Sequence, residues 1–234
     1  MADSEDPKSL EAPTRRDEVE GEGAIRGTAR VEAFADAVFA IAFTLPVVAI
    51  IMPKPEEPGT TLGPDLAALS PAYIGYLLAS LVIGLYFVRH HFSGAIFRST
   101  GHWFVFATTI FLAAIGFIAF PARVIAEHFT DAAARPAAVR YWVVSLTVLS
   151  LTWLLKWSVG SSHGHIDVRL ERDYVRGLSR HYRLIAALNV IAAMVVFLHW
   201  PTGLALSTAL VAWMVFPPDT PRYRTEAPII EGEH

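Results

Sequence analysis

Six long apolar runs constrain this 234-residue chain more than any other feature of its sequence. Each run has roughly the 17–25 residues that an α-helix needs to cross a bilayer. The runs are continuously apolar and lack the polar–apolar alternation of transmembrane β-strands. We therefore predict an all-α, polytopic membrane protein with six transmembrane helices, over residues 31–52, 69–88, 103–122, 138–159, 184–200 and 202–216.

The two ends of the chain differ from this central part in composition. Residues 1–29 hold eight acidic and four basic residues, with almost no large apolar ones. Such a segment cannot bury enough apolar surface to offset the entropy lost on ordering. We expect a disordered acidic tail over residues 1–29, a transmembrane domain over residues 30–217 and a second tail over residues 218–234.

The distribution of Lys and Arg predicts the orientation in the membrane. With the N-terminus in the cytoplasm, 15 of the 19 Lys and Arg residues fall on the cytoplasmic side. Cytoplasmic loops of membrane proteins carry such an excess of positive charge. Both termini are therefore predicted to be cytoplasmic.

The predicted spans carry almost no ionisable residue near the middle of the membrane. Glu32, Asp36 and Lys156 lie near cytoplasmic ends, and Arg140 and His199 lie near outer ends. Ionisable groups inside spans mark proton relays and substrate pathways in pumps and transporters. Their absence at mid-depth favours a passive pore, and a small proton-coupled secondary transporter is the alternative.

The remaining composition bears on other classes of function. A net charge of −3 gives no electrostatic case for nucleic-acid binding, and the chain has no Cys for a thiolate site. His163, His165 and Asp167 resemble the start of a zinc hydrolase motif, but no further ligands are placed to complete a site. We predict neither an enzyme nor a metal or cofactor site. The basic stretch that follows is interpreted as a connector lying against anionic lipid headgroups.

The first predicted helix carries an apolar stripe formed by Ile41, Leu45 and Val48. Their spacing of i, i+4 and i+7 places them on one helix face, and Thr44 adjoins that face. Packing against neighbouring helices is the ordinary explanation, and Pro46 can simply kink the helix. The alternative is a pore-lining helix whose apolar rings gate by dewetting.

The start of this helix resembles a known family. Arg30, Phe34, Ala35 and Asp36, followed by AVFAIAFTL, are similar to the Arg-x-x-x-Phe-Ser-Asp signature of transmembrane protein 175 family potassium channels. That signature opens the first helix in the family. These channels lack the TVGYG selectivity loop, and the sequence has no such loop either.

Two other spans extend the resemblance. The second ends in His90 and His91, and the third contains Phe120 and Pro121, as is usual in the family. Six spans with both ends inside also agree, so the resemblance covers about residues 30–217. For the two histidines we favour a structural role at the membrane interface over a pH sensor.

The resemblance implies a cation channel that conducts mainly potassium across a plasma membrane of bacterial type, without a cofactor. It implies a homotetramer with four first helices around the pore, a constriction at Ile41, further apolar rings at Leu45 and Val48, and a hydroxyl layer at Thr44. It also implies a signature network near the cytoplasmic side, whose members are Arg30, Phe34, Asp36, His90 and His91.

Three positions depart from the family pattern. Ala35 stands in place of the signature Ser, Phe87 in place of a frequent Trp, and Ala119 in place of a Pro. These departures loosen the hydrogen bonding expected at the inner end. For Asp36 we favour a structural role, paired with Arg30 or a His, over an unpaired carboxylate that attracts cations to the pore mouth.

Overall fold

The computed structural model describes residues 28–51, 62–162, 164–167, 169–216 and 222. In these residues the chain forms α-helices and no named strand, which confirms the all-α class. The predicted tails lie outside the described residues, apart from residues 28, 29 and 222. The helices are α1 (Ala29–Thr44), α2 (Leu62–Ala68), α3 (Ser70–Gly94), α4 (His102–Phe117), α5 (Ala119–His128), α6 (Arg135–Ser162), α7 (Arg172–Leu198) and α8 (Trp200–Trp213).

Five segments of the described chain are long and apolar enough to cross a membrane. They are Ala29–Val48, Ser70–Gly94, His102–His128, Arg135–Ser162 and Arg172–Leu198. The sixth predicted span corresponds to α8, which has 14 residues. At 1.5 Å per residue such a helix is about 21 Å long, shorter than a hydrocarbon core of about 30 Å. The count of six spans and the position of the termini therefore stay predictions.

The third predicted span is a pair of helices, α4 and α5, separated at Ile118. Pro121 lies in the first turn of α5 and has no N–H to donate to the carbonyl of Phe117, four residues earlier. The helical bonding resumes with the N–H of Ala122, which donates to the carbonyl of Ile118 at 3.2 Å. The proline thus divides one apolar run into two helical pieces.

The tight hairpin of α7 and α8 depends on a glycine. A Cβ at Gly203 would lie 2.5 Å from the Cα of Val196, a distance too short for any side chain. Because glycine has no Cβ, the backbones of the two helices can come into contact at this point. The hairpin then packs against α6 through both of its helices.

The helix α6 forms the centre of the bundle. It contacts α4, α5, α7 and α8, and Val139, Val143 and Leu149 on it are completely buried. Aromatic rings fill the space around it, with Trp153 in edge contact with both Phe111 of α4 and Tyr182 of α7. In contrast, α1 lies at the edge of the bundle and packs mainly against α3 and α4.

Candidate functional site

The two faces of α1 differ in their exposure. Ala35, Phe39 and Ala42 are spaced at i, i+4 and i+7 and are buried on the side that meets α3 and α4. Ala35 is 0% exposed. Its methyl group needs no hydrogen-bond partner there, so the departure from the signature Ser leaves no polar atom unsatisfied in this packing.

The apolar stripe lies on the other side of α1 and is uncovered in the single chain. Ile41, Leu45 and Val48 are 55%, 58% and 73% exposed. Branched apolar side chains exposed in a contiguous row indicate a surface that is covered by lipid or by another protein. The structure therefore places the predicted pore residues together on a surface available to a partner.

The second half of the stripe is not α-helical. Because Pro46 has no N–H, the carbonyl of Ala42 receives no α-helical hydrogen bond from it. The chain continues from Leu45 to Ala49 as a 3-10 helix. With three residues per turn, Leu45 and Val48 lie one above the other, so the stripe continues along the same face.

Thr44 is exposed and lies beside this stripe. Its hydroxyl donates to the carbonyl of Ala40 at 2.8 Å, with the carbonyl of Ile41 at 3.3 Å. The hydroxyl proton is thus used inside the helix. The oxygen keeps acceptor capacity toward the outside, which is the property that a cation-facing hydroxyl needs.

The structure separates the predicted signature network into buried and exposed members. Arg30, Phe34, Asp36 and His91 are exposed, whereas His90 is buried. In the described part of a single chain, Asp36 forms no ion pair with Arg30, and the ion pairs present lie elsewhere. Asp36 instead lines an open groove between α1 and α3. A pairing of Asp36 in the assembled protein stays a prediction.

A buried cationic residue, Lys156 of α6, is part of the site that sequence reasoning did not assign. Its side chain is buried, with Nζ 2.7 Å from Nδ1 of His90 and 3.2 Å from Oγ of Ser93. The ammonium also lies 4.7 Å from the centre of the Trp153 ring. We call Lys156, His90 and Ser93 the Lys156 cluster. The sequence signalled this cluster only through a lysine inside an apolar run, because a buried ammonium requires a partner.

The loops beside this cluster are joined by hydrogen bonds. Phe97 and Ile166 form an antiparallel bridge, in which the N–H of Arg98 donates to the carbonyl of His165 at 2.9 Å. Asp167 is buried and accepts from Arg98 at 2.6 Å and from Arg169 at 2.9 Å. Hydrogen bonds from the side chain of Arg169, from its backbone N–H and from Arg98 hold the pKa of Asp167 well below its usual range.

This bonding bears on the zinc-like sequence. The Asp167 carboxylate is already occupied by two arginines, and Nδ1 of His165 lies 2.9 Å from the hydroxyl of Ser99. His163 lies outside the described residues. Within the described ranges, no group of three or more metal-ligating side chains is close enough to hold a metal ion. The segment acts as a structural connection between loops.

Comparisons with known proteins add three findings. The model of the family described as endosomal/lysosomal potassium channel TMEM175 matches residues 30–119, which run from α1 to the first residue of α5. A potassium channel of Streptomyces collinus is 28% identical over 188 residues, covering 80% of this chain and 91% of its own length. A potassium channel of Chamaesiphon minutus is 29% identical over 172 residues, covering 73% of this chain and 85% of its own.

A solved structure shares the fold. It is the crystal structure of a Chamaesiphon minutus homologue of the lysosomal potassium-selective channel TMEM175. The likeness has a TM-score of 0.67 at 24% identity and covers 80% of this chain and 96% of the other. The likeness extends over nearly the whole of that chain, so the two proteins share one fold.

Proposed function

Because this chain is similar to potassium channels and to the TMEM175 family model, we propose that it is a potassium channel in which α1 lines the pore. It is a membrane protein and not an enzyme. One observation carries the proposal: the apolar stripe of Ile41, Leu45 and Val48 is exposed on a helix whose opposite face is packed.

The assembly that we propose is a homotetramer with α1 of each subunit at the centre. Identical faces arranged around a rotation axis can cover one another, so a single exposed stripe suffices to build a closed pore. Four Ile41 side chains would form the narrowest ring, with Leu45 and Val48 as the outer rings. This arrangement also explains why α1 lies at the edge of the single chain.

Conduction through such a pore depends on its hydration. A narrow apolar ring excludes ions when dry and passes them when wet, without a fixed cage of carbonyl oxygens. The hydroxyl oxygens of Thr44, whose protons bond to Ala40, would supply an acceptor layer between the apolar rings. Asp36, exposed in the single chain near the predicted inner mouth, would pair with Arg30 or a His in the assembly, so it adds little net charge at the mouth.

The test is ion flux in liposomes that contain the purified protein in a membrane of bacterial lipids. We expect wild type to pass potassium in preference to sodium without a coupled substrate. Replacing the apolar ring with a polar one, by Ile41→Asn, should increase the resting flux and reduce this preference, because a polar ring stays hydrated.

The control places the same change on another exposed isoleucine. Ile191 of α7 is 44% exposed and lies away from α1, so Ile191→Asn should leave the ratio of potassium to sodium flux unchanged. A wild type without potassium flux, or an Ile41→Asn variant equal to wild type, contradicts the pore. Chemical crosslinking in mild detergent should give four bands, and a persistent monomer contradicts the tetramer.

A further inference from the structure

The Lys156 cluster lies where four helices meet at one end of α1. The small cavity there is lined by residues of α1, α3, α4 and α6: Val31, Glu32, His90, Ser93, Phe104, Thr108 and Lys156 among them. We propose that Lys156 is a positioning residue for the pore helix, acting on α1 through His90. This inference rests on the proposed function, in which α1 lines the pore.

The first step is the effect of Lys156 on His90. A charged Lys156 ammonium can only donate hydrogen bonds, and Nδ1 of His90, at 2.7 Å, then accepts from it. This fixes the proton of a neutral His90 ring on Nε2 and fixes the orientation of the ring. Ser93 completes the cluster, since its Oγ accepts from Lys156 at 3.2 Å and donates to the carbonyl of His90 at 2.7 Å.

The second step is the contact between His90 and α1. The His90 ring packs on the ring of Phe39, with their centres 5.4 Å apart. Phe39 is 2% exposed and is the largest buried side chain of α1. It precedes Ile41 by two residues, so the position of its ring sets the position of the predicted constriction.

The third step concerns charge. Glu32 of α1 lines the same cavity as Lys156, which places a carboxylate of the pore helix opposite a buried ammonium of the bundle. The rings of Trp153 and Phe111 lie on other sides of the ammonium, with centres 4.7 Å and 5.8 Å away. Attraction between charges beside buried apolar rings is screened less than in bulk water, so this pair also draws the start of α1 toward α6.

The position of α1 matters more in an apolar pore than in a carbonyl filter. A hydrophobic constriction discriminates between ions by its radius and its hydration, and it has no fixed ligands to correct a displacement. Loss of the Lys156 cluster should therefore alter the preference for potassium. It should do so even though Lys156 does not touch the pore.

The experiment measures the ratio of potassium to sodium flux in liposomes for the full chain. Lys156→Met removes the ammonium but keeps an unbranched side chain, and His90→Leu removes the acceptor. We expect each to lower the ratio by about threefold or more. His90→Asn keeps an acceptor oxygen near the position of Nδ1 and should retain the wild-type ratio within about twofold.

The ratio of potassium to sodium flux distinguishes a displaced α1 from a loss of folded protein. A variant that merely folds poorly yields fewer channels, so both fluxes fall together and their ratio stays constant. Arg222→Met, at an exposed cation outside the helices, controls for loss of a positive charge and should not change the ratio.

Two outcomes overturn the inference. In one, Lys156→Met and His90→Leu both keep the wild-type ratio. In the other, His90→Asn lowers the ratio as much as His90→Leu does. A wild type that passes no potassium is a different result, since it contradicts the proposed function and removes the premise of this inference with it.

Discussion

The carboxylate of Asp167 accepts a hydrogen bond from Nε of Arg98 at 2.6 Å and so joins the loop after α3 to the loop before α7. Arg169 binds the same carboxylate from the other side. The carboxylate is buried, whereas the two arginine side chains are 59% and 55% exposed. The link between the loops therefore depends on one acidic residue, and two predictions test it.

Asp167→Asn should lower the stability of the folded protein. An amide keeps the shape but loses the charge that both arginines bind. Because the arginines are largely exposed and screened by water, we expect a loss of only about 1 kcal/mol. Thermal unfolding in detergent, followed by circular dichroism, measures it.

The control for this variant is Asp173→Asn. Asp173 forms an ion pair with Arg176 in which both side chains are mostly exposed. Such a pair contributes little to stability, so this variant should unfold close to the wild-type temperature. Equal losses of stability in the two variants would show that the Asp167 link contributes no more than an exposed ion pair does.

Acid should weaken the same link. The folded pKa of Asp167 lies below its ordinary value of 3.8, chiefly because Arg169 donates to the carboxylate. Because the pKa of Asp167 is lower in the folded than in the unfolded protein, the ionised carboxylate stabilises the fold at pH values above the unfolded pKa. This stabilisation is lost as the pH falls toward the folded pKa. The unfolding temperature of wild type should thus fall more steeply below about pH 4 than that of Asp167→Asn.

The measurement is a difference between two pH series, since other carboxyl groups titrate in both proteins. Subtracting the Asp167→Asn series from the wild-type series isolates the contribution of Asp167. The difference should be constant from neutral pH to about pH 5 and shrink at lower pH. A difference that grows on acidification would contradict the lowered pKa.

The sequence alone was enough to predict the helical class and the face of α1 that carries the apolar stripe. Both follow from local rules, since span length and the spacing of Ile41 and Leu45 depend on neighbouring residues only. The 3-10 helix from Leu45 was not predicted. Pro46 allowed either a kink or a tighter helix, and local spacing does not distinguish them.

The contact between Lys156 and His90 and the start of α7 were not predicted from local patterns. Lys156 and His90 are 66 residues apart, and their bond requires α3 and α6 to meet at that level. Hydropathy also placed the fifth span at residues 184–200, whereas α7 begins at Arg172. An apolar run indicates where a helix enters lipid, but a helix can continue into water with polar residues.

The polar start of α7 should bind anionic lipid. Arg172, Arg176, Arg180 and Arg183 lie on one face of the helix and are exposed, and we call them the arginine stripe. Replacing all four by Gln should weaken the stabilisation that phosphatidylglycerol gives over phosphatidylcholine. Each arginine near an anionic surface contributes about 1 kcal/mol.

The readout is the unfolding temperature in mixed micelles of each lipid. The same face of α7 continues with the exposed apolar residues Ile191 and Met194, which places the arginine stripe at the edge of a lipid-facing surface. If the variant with all four arginines replaced by Gln kept the full wild-type preference for phosphatidylglycerol, the arginine stripe would not lie at the lipid headgroups. High salt should abolish the preference of wild type, since exposed charges are screened.

The hydroxyl of Thr44 should contribute to the passage of potassium. Thr44→Val keeps the shape of the side chain and removes the hydroxyl beside the apolar stripe, so the pore should hydrate less readily. We expect potassium flux to fall by about tenfold, and Thr44→Ser to remain near wild type because it restores an acceptor oxygen.

Thr109→Val is the matched control, since Thr109 is exposed on α4 and donates to the carbonyl of Val105 at 3.0 Å in the same way. Equal fluxes in Thr44→Val and Thr109→Val would remove Thr44 from the conduction path.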